Sequence, residues 1–214
     1  MATTQIALYN EALRIIGERR LASLIENREP RRVLDDVWND GAREYCLEQG
    51  QWNFAMRAVE ITPSATVPAF GYQHAFDKPN DFIRTAGVAE DEAFKRPLLN
   101  MLEEVGFWFA DINPIYVRYI SSSNSYGLDL QRWPKTFSKY VAAYLASEIC
   151  FTITQDDNKK KMALAMMMQR LKEARSVDAM ADPTAFAPEG NWAASRRSGR
   201  GGRRDRGARG QLIG

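Results

Sequence analysis

Trp133-Pro-Lys-Thr-Phe-Ser-Lys-Tyr-Val-Ala-Ala-Tyr-Leu-Ala-Ser-Glu-Ile-Cys-Phe151 decides the fold class. Phe137, Val141, Tyr144, Leu145 and Ile149 recur at the spacing of one helical face, so the stretch predicts a helix over about 134–151. After it, Thr154-Gln-Asp-Asp157 supplies a break and a new cap; aspartates suit a helix N-terminus because the dipole there favours negative charge. A last helix is expected over about 156–180, with Leu164, Met167, Met168, Leu171, Ala174 and Val177 facing inward. Its other side carries Lys159, Lys160, Lys161, Arg170, Lys172, Glu173 and Arg175. Met162, Met166, Met167 and Met168 read as core filler, since methionine fits irregular gaps; a helix apolar on more than one face would also suit a neighbouring subunit. Pro183 stops this helix.

Upstream, Thr3 or Thr4 can cap a first helix whose Ile6, Tyr9, Leu13 and Ile16 form one apolar stripe, closed by Gly17. A second helix is expected over about 30–49, with proline in its first turn. Val33, Val37, Tyr45 and Trp52 lie near one face of it, with Leu34 and Cys46 beside it. Arg31, Arg32, Asp35, Asp36, Asp40, Arg43 and Glu44 occupy much of the rest and are the candidates for a subunit interface. Trp52-Asn-Phe54 reads as an aromatic plug pinning the helix end. Between the helical segments, prolines 63, 68, 79, 97 and 114 forbid a long helix. Strand-like runs at 58–62, 70–76, 85–89, 105–112 and 115–121 predict a small antiparallel sheet, with 77–84 as a turn and short helical connection. The expected fold is mainly α (α+β). Residues 1–56 and 131–181 form an antiparallel helix bundle, 57–130 a small inserted antiparallel β-sheet, and 182–214 an extended Arg/Gly-rich C-terminal arm.

Composition narrows the function. The chain has 214 residues, 45% of them hydrophobic, enough for a real core. No apolar run reaches the length of a membrane span and no secretory signal is visible, so no membrane partner is expected. Cys46 and Cys150 read as buried free thiols. Residues 189–214 hold seven arginines against Glu189 and Asp205, a net +5, which leaves −3 on residues 1–188. An acidic body with a basic end points to an interaction arm.

Chemistry-bearing constellations are sparse. The single histidine, His74, has no histidine, Cys-x-x-Cys or dense carboxylate motif beside it and reads as structural or surface. The glycines near the C-terminus follow no strand and open no helix, so no phosphate loop is expected. Asp35, Asp36 and Asp40 alternate with arginines and read as a solvated or inter-subunit charged face rather than a metal site. No catalytic residue, metal or cofactor is expected.

The arginine-rich end admits three readings: nucleic-acid binding through counterion release, docking onto protein carboxylates, or a solubilising tail. Trp192, Leu212 and Ile213 flank Arg196, Arg197, Arg200, Arg203, Arg204, Arg206 and Arg209. Apolar anchors beside the guanidinium groups favour a protein dock over a plain electrostatic tether.

Several segments, in order, resemble the head-to-tail adaptors (connectors) of short-tailed bacteriophages, the tail tubular protein A family. They are Leu8-Tyr-Asn-Glu-Ala-Leu-Arg-Ile-Ile-Gly-Glu18, Gln49-Gly-Gln-Trp-Asn-Phe54, Phe76-Asp-Lys-Pro-Asn-Asp-Phe-Ile-Arg84, Tyr116-Val-Arg-Tyr119, Trp133-Pro-x-x-Phe137, Val141-Ala-Ala-Tyr-Leu-Ala-Ser-Glu-Ile149 and Leu171-Lys-Glu-Ala-Arg-Ser-Val-Asp178. The resemblance covers roughly residues 5–181; no single motif is specific, but their succession is distinctive. It implies a homo-oligomeric ring, expected to be a dodecamer, beneath the portal protein in the virion, made in the host cytoplasm. The sheet insertion would face a downstream tail (nozzle) protein and the C-terminal arm would dock between portal subunits. DNA would pass through the central channel without sequence-specific binding. The competing expectations are a nucleic-acid-binding protein using the Arg-Gly arm, and a wall-degrading hydrolase, for which no carboxylate pair stands out.

Overall fold

Thr4 opens the first helix as its sequence predicts: its hydroxyl accepts from the Ala7 amide at 3.4 Å, and Gly17, at φ 82°, closes α1 (Gln5–Ile16). The expected single helix over 30–49 is corrected. Gly41 sits at φ 91°, where a helix cannot continue, and the chain divides into α2 (Glu29–Val37), a wide turn at Trp38–Ala42, and α3 (Arg43–Glu48). The break rotates α3 relative to α2. Leu34 and Trp38 point into the core, while Tyr45, expected on the apolar face with Val33 and Val37, is half exposed and stacks on Tyr144 at 4.8 Å.

After α3 the backbone reverses into the aromatic plug. Trp52 is fully buried, donates its indole N–H to the Leu47 carbonyl at 3.1 Å, and meets Phe137 edge-on at 4.8 Å. Phe54 reaches the same ring at 4.8 Å. The indole explains the glycine before it: a Cβ at Gly50 would lie 2.8 Å from the Trp52 ring.

Six strands come next: β1 (Met56–Ile61), β2 (His74–Asp77), β3 (Phe82–Ala89), β4 (Met101–Glu103), β5 (Phe107–Ala110) and β6 (Ile115–Ser121). The expected single sheet is corrected to two three-stranded antiparallel sheets, ordered β1-β6-β3 and β2-β5-β4. Val117 lies opposite both Val59 and Val88 in the first, and Phe76 opposite Trp108 in the second. The strand expected at 70–76 begins only at His74, because Gly71, at φ 89°, turns the chain first. The run expected at 105–112 contracts to β5, since Gly106 turns the hairpin that brings in β4, which the sequence did not signal. No helix forms within 77–84. Pro79 accepts from the Phe82 amide at 3.0 Å in a tight turn, and Phe82 already starts β3. Phe76, Val88, Leu98, Trp108, Val117 and Tyr119 make a core shared by the two sheets, with Phe82 edge-on to Trp108 at 5.3 Å.

The computed structural model describes residues 3–181, an α+β fold whose helical core centres on α4 (Lys135–Thr154). Tyr140, Val141, Ala142, Leu145, Ala146 and Ile149 bury several sides of this helix, and α1, α2 and α5 (Asp157–Ala181) lie against it. The inward set expected on α5 is corrected. Ala163 and Ala174 are buried and Met167 and Leu171 partly so, but Met168 and Val177 are exposed. An outer-layer helix touches its support along a narrow stripe, and small residues let it approach closely. Among the described residues no helix is long and apolar enough to cross a membrane.

Candidate functional site

The seven charged residues singled out around the second helix divide into three groups. Arg31 and Asp35, one turn apart, form an ion pair, and Asp35 also accepts from the Tyr9 hydroxyl at 2.9 Å. Gln5 donates to that hydroxyl at 2.8 Å. Burial, with the neighbouring Asp35, pushes the Tyr9 hydroxyl well above the usual tyrosine range, so it stays a neutral donor. This chain of polar groups fastens α2 to α1. Arg43 lies over the Trp38 ring at 5.1 Å, a contact that spans the Gly41 break, and 3.9 Å from Glu44. Arg32, which bonds Asn27, and Asp36 and Asp40, which make no hydrogen bond or ion pair among the described residues, face outward.

The residues assigned to the basic arm, Trp192, Arg196, Arg197, Arg200, Arg203, Arg204, Arg206, Arg209, Leu212 and Ile213, lie outside the described residues. His74 is half-buried on β2, with its ring edge-on to Phe76 at 6.3 Å. Cys46 and Cys150 are free and buried, and burial raises the Cys46 thiol far above its ordinary value. Among the described residues no group of histidine, cysteine or carboxylate side chains is arranged to hold a metal ion.

Sequence reasoning missed Asp81. Its carboxylate accepts from the Tyr119 hydroxyl at 3.0 Å, from the Ser121 hydroxyl, and from the Arg57 guanidinium at 3.1 Å, while its carbonyl accepts from the Ser122 amide at 2.8 Å. Burial raises this carboxyl's pKa, but the hydrogen bonds from Ser121, Tyr119 and Arg57 outweigh it, and the group ends below the ordinary aspartate value. Burial and the adjacent carboxylate push Tyr119 up to about 12. One side chain thus ties the β2–β3 turn to β1 and β6. The available signal was an acid between Pro79 and Phe82, together with hydroxyls two residues apart at Tyr119 and Ser121.

A second joint closes the helical side. Arg84 donates to the Glu48 carbonyl at 3.2 Å and Arg175 to the Gln49 carbonyl at 2.8 Å, so two guanidinium groups satisfy the orphan carbonyls ending α3. Asp178 accepts from the Asn53 amide at 3.1 Å, and its carbonyl takes the Asn53 side-chain amide at 3.0 Å. Gln49, Arg84, Arg175 and Asp178 line a groove of about 410 Å³ beside Trp52. Its polar groups serve as joints between elements; the arrangement sets up no nucleophile–base pair. No protein-family model and no curated protein matches the chain.

Proposed function

We propose that the chain is a structural adaptor subunit of a short-tailed phage virion. Copies form a ring, expected to be dodecameric, that joins the portal protein to the downstream tail (nozzle) protein and lines the DNA exit channel. In this reading the helices are an antiparallel bundle forming the ring body, the sheets are an insertion facing the tail, and residues 182–214 are an arm docking onto the portal. The subunit is not an enzyme, and DNA passes without sequence-specific contact.

One observation carries the reading. Segments far apart in the chain that carry the family resemblance meet at shared joints. Trp52 and Phe54 pack on Phe137, and Trp133 meets Phe137 edge-on at 4.9 Å. Asp81 holds Tyr119, Arg84 caps α3, and Asp178 clasps Asn53. A chance scatter of motifs would have no reason to converge on shared contacts, whereas motifs that specify one architecture would.

The test compares the full chain with a chain ending at residue 188, by particle mass with and without portal. The full chain is expected to join the portal; the shortened one is expected to keep its helical circular dichroism and lose portal binding. Retained binding by the shortened chain refutes the dock. The +5 charge of residues 189–214 favours one rival, nucleic-acid binding through the arm. That rival requires DNA affinity falling by several decades between low and physiological salt; absent or salt-insensitive binding by the isolated chain refutes it.

A further inference from the structure

α2 and α5 both lie against α4, and each leaves one face outside. Their charges are opposite. Residues 29–48 hold six acidic residues against three arginines, a net −3; α5 holds six basic residues against three acidic ones, a net +3. Much of the remaining charge is already used within the subunit: Arg31 with Asp35, Arg43 with Glu44, and Arg170 with Glu173. Asp36 and Asp40 on one side, and Lys161 and Lys172 on the other, are exposed with no partner among the described residues.

The outward half of α5 is also apolar in an unusual way. On the sides away from its buried Ala163 and Ala174 it presents Lys161, Met162, Ala165, Met168, Lys172 and Met180, all exposed; the three methionines are 64–79% exposed. A row of uncovered thioethers interrupted by lysines offers adaptable packing framed by positive charge.

We propose that this face of α5 is the docking surface for a second copy of the chain, which presents its α2–α3 face with Asp36 and Asp40 toward Lys161 and Lys172. The inference rests on the self-assembly reading of the proposed function and adds the pair of surfaces that meet. The contact pairs unlike faces, and each subunit has one of each to offer, so the contact can pass from copy to copy around a ring.

The experiment uses two full-length variants, Lys161→Glu/Lys172→Glu and Asp36→Lys/Asp40→Lys, with particle mass measured by light scattering over a concentration series. Wild type is expected to associate, and to do so less tightly as salt rises. Each variant is expected to dissociate with a constant at least about a hundredfold higher, since like charges then face each other. An equimolar mixture is expected to recover particles of wild-type mass, because the acidic α5 of one variant meets the basic α2 of the other and the remaining pair of faces is complementary too. If either variant assembles like wild type, or the mixture stays dissociated while wild type assembles, the pairing of faces is overturned and the assembly reading stands. A wild type that stays monomeric throughout overturns both.

Discussion

Replacing Asp81 by alanine removes the one acceptor shared by Tyr119, Ser121 and Arg57. Tyr119 and Ser121 are fully buried, and a buried hydroxyl left without a partner costs roughly 1–3 kcal/mol, so the two together cost about 4 kcal/mol. Arg57 is more than a third exposed and adds less than about 1 kcal/mol. Domain stabilities lie near 5–15 kcal/mol, so the loss is a large share of the whole. With a urea dependence of about 2 kcal/mol per molar, the unfolding midpoint read by tryptophan fluorescence should drop by about 2 M. Adding Tyr119→Phe to Asp81→Ala should cost less than Tyr119→Phe alone, because its partner is already gone. Asp81→Asn tests the charge. The carboxyl is held below its unfolded value, so its stabilisation is complete above about pH 4 and is lost as pH falls through the lower, folded value. The gap between wild type and Asp81→Asn should therefore narrow on acidification below pH 4. A midpoint shift under about 0.5 M for Asp81→Ala, or a gap that ignores pH, would refute the joint.

Two further outcomes rest on the packing. Gly127→Ala would place its Cβ 2.2 Å from the Ser121 carbonyl oxygen and 2.8 Å from Leu47, so backbone must move; a loss of about 3 kcal/mol is expected, with a melting temperature about 6–12 °C lower. Gly87→Ala, with nothing within 4 Å of its added carbon, should keep a melting temperature close to wild type by calorimetry and serves as the control. Cys46 and Cys150 should resist an aromatic disulfide reagent at pH 8 in the folded protein and react in urea; rapid labelling of the native chain would contradict their burial.

The helices were legible wherever local chemistry sets the boundary. Thr4 and Gly17 fix α1, and Pro134 and the 154–157 break frame α4 and the start of α5. Some misread positions turn on glycine backbone conformations that the apolar pattern does not show, and others on contacts far along the chain. Gly41 looks like an ordinary helix glycine, and the φ of 91° it adopts rotates Tyr45 out of the core. Gly71 and Gly106 cut the apolar runs at 70–76 and 105–112 into hairpin pieces, which no alternation in the sequence announces. Period alone assigned Met168 and Val177 to the core, but α5 has neighbours on one side only, and periodicity cannot count neighbours. Of the charged residues on the second helix, Arg31 and Asp35 could not be told from Asp36 and Asp40 without knowing where Tyr9 lies. Asp81 sits within the Phe76–Arg84 motif, yet its role depends on Tyr119 and Ser121, about forty residues downstream.

The unpartnered charges also restrict the kind of assembly, beyond marking a surface. A two-fold dimer would place the same patch against itself. If it used α5, Lys161 and Lys172 would face Lys161 and Lys172; if it used α2, Asp36 and Asp40 would face their own copies. Like charges brought together cost several kcal/mol, so both symmetric pairings are disfavoured, while α5 against α2 is attractive in one orientation only. A two-fold pair satisfies both faces only by seating α5 of each copy on α2 of the other at once, which requires one interface to hold both faces; with the faces in separate contacts, the proposed pairing passes from copy to copy until rotation brings the last α5 to the first α2. On that proposal the wild-type particle grows past two copies across the concentration series, and a particle whose mass is the same for wild type and Lys161→Glu/Lys172→Glu would show that these charges do not direct assembly.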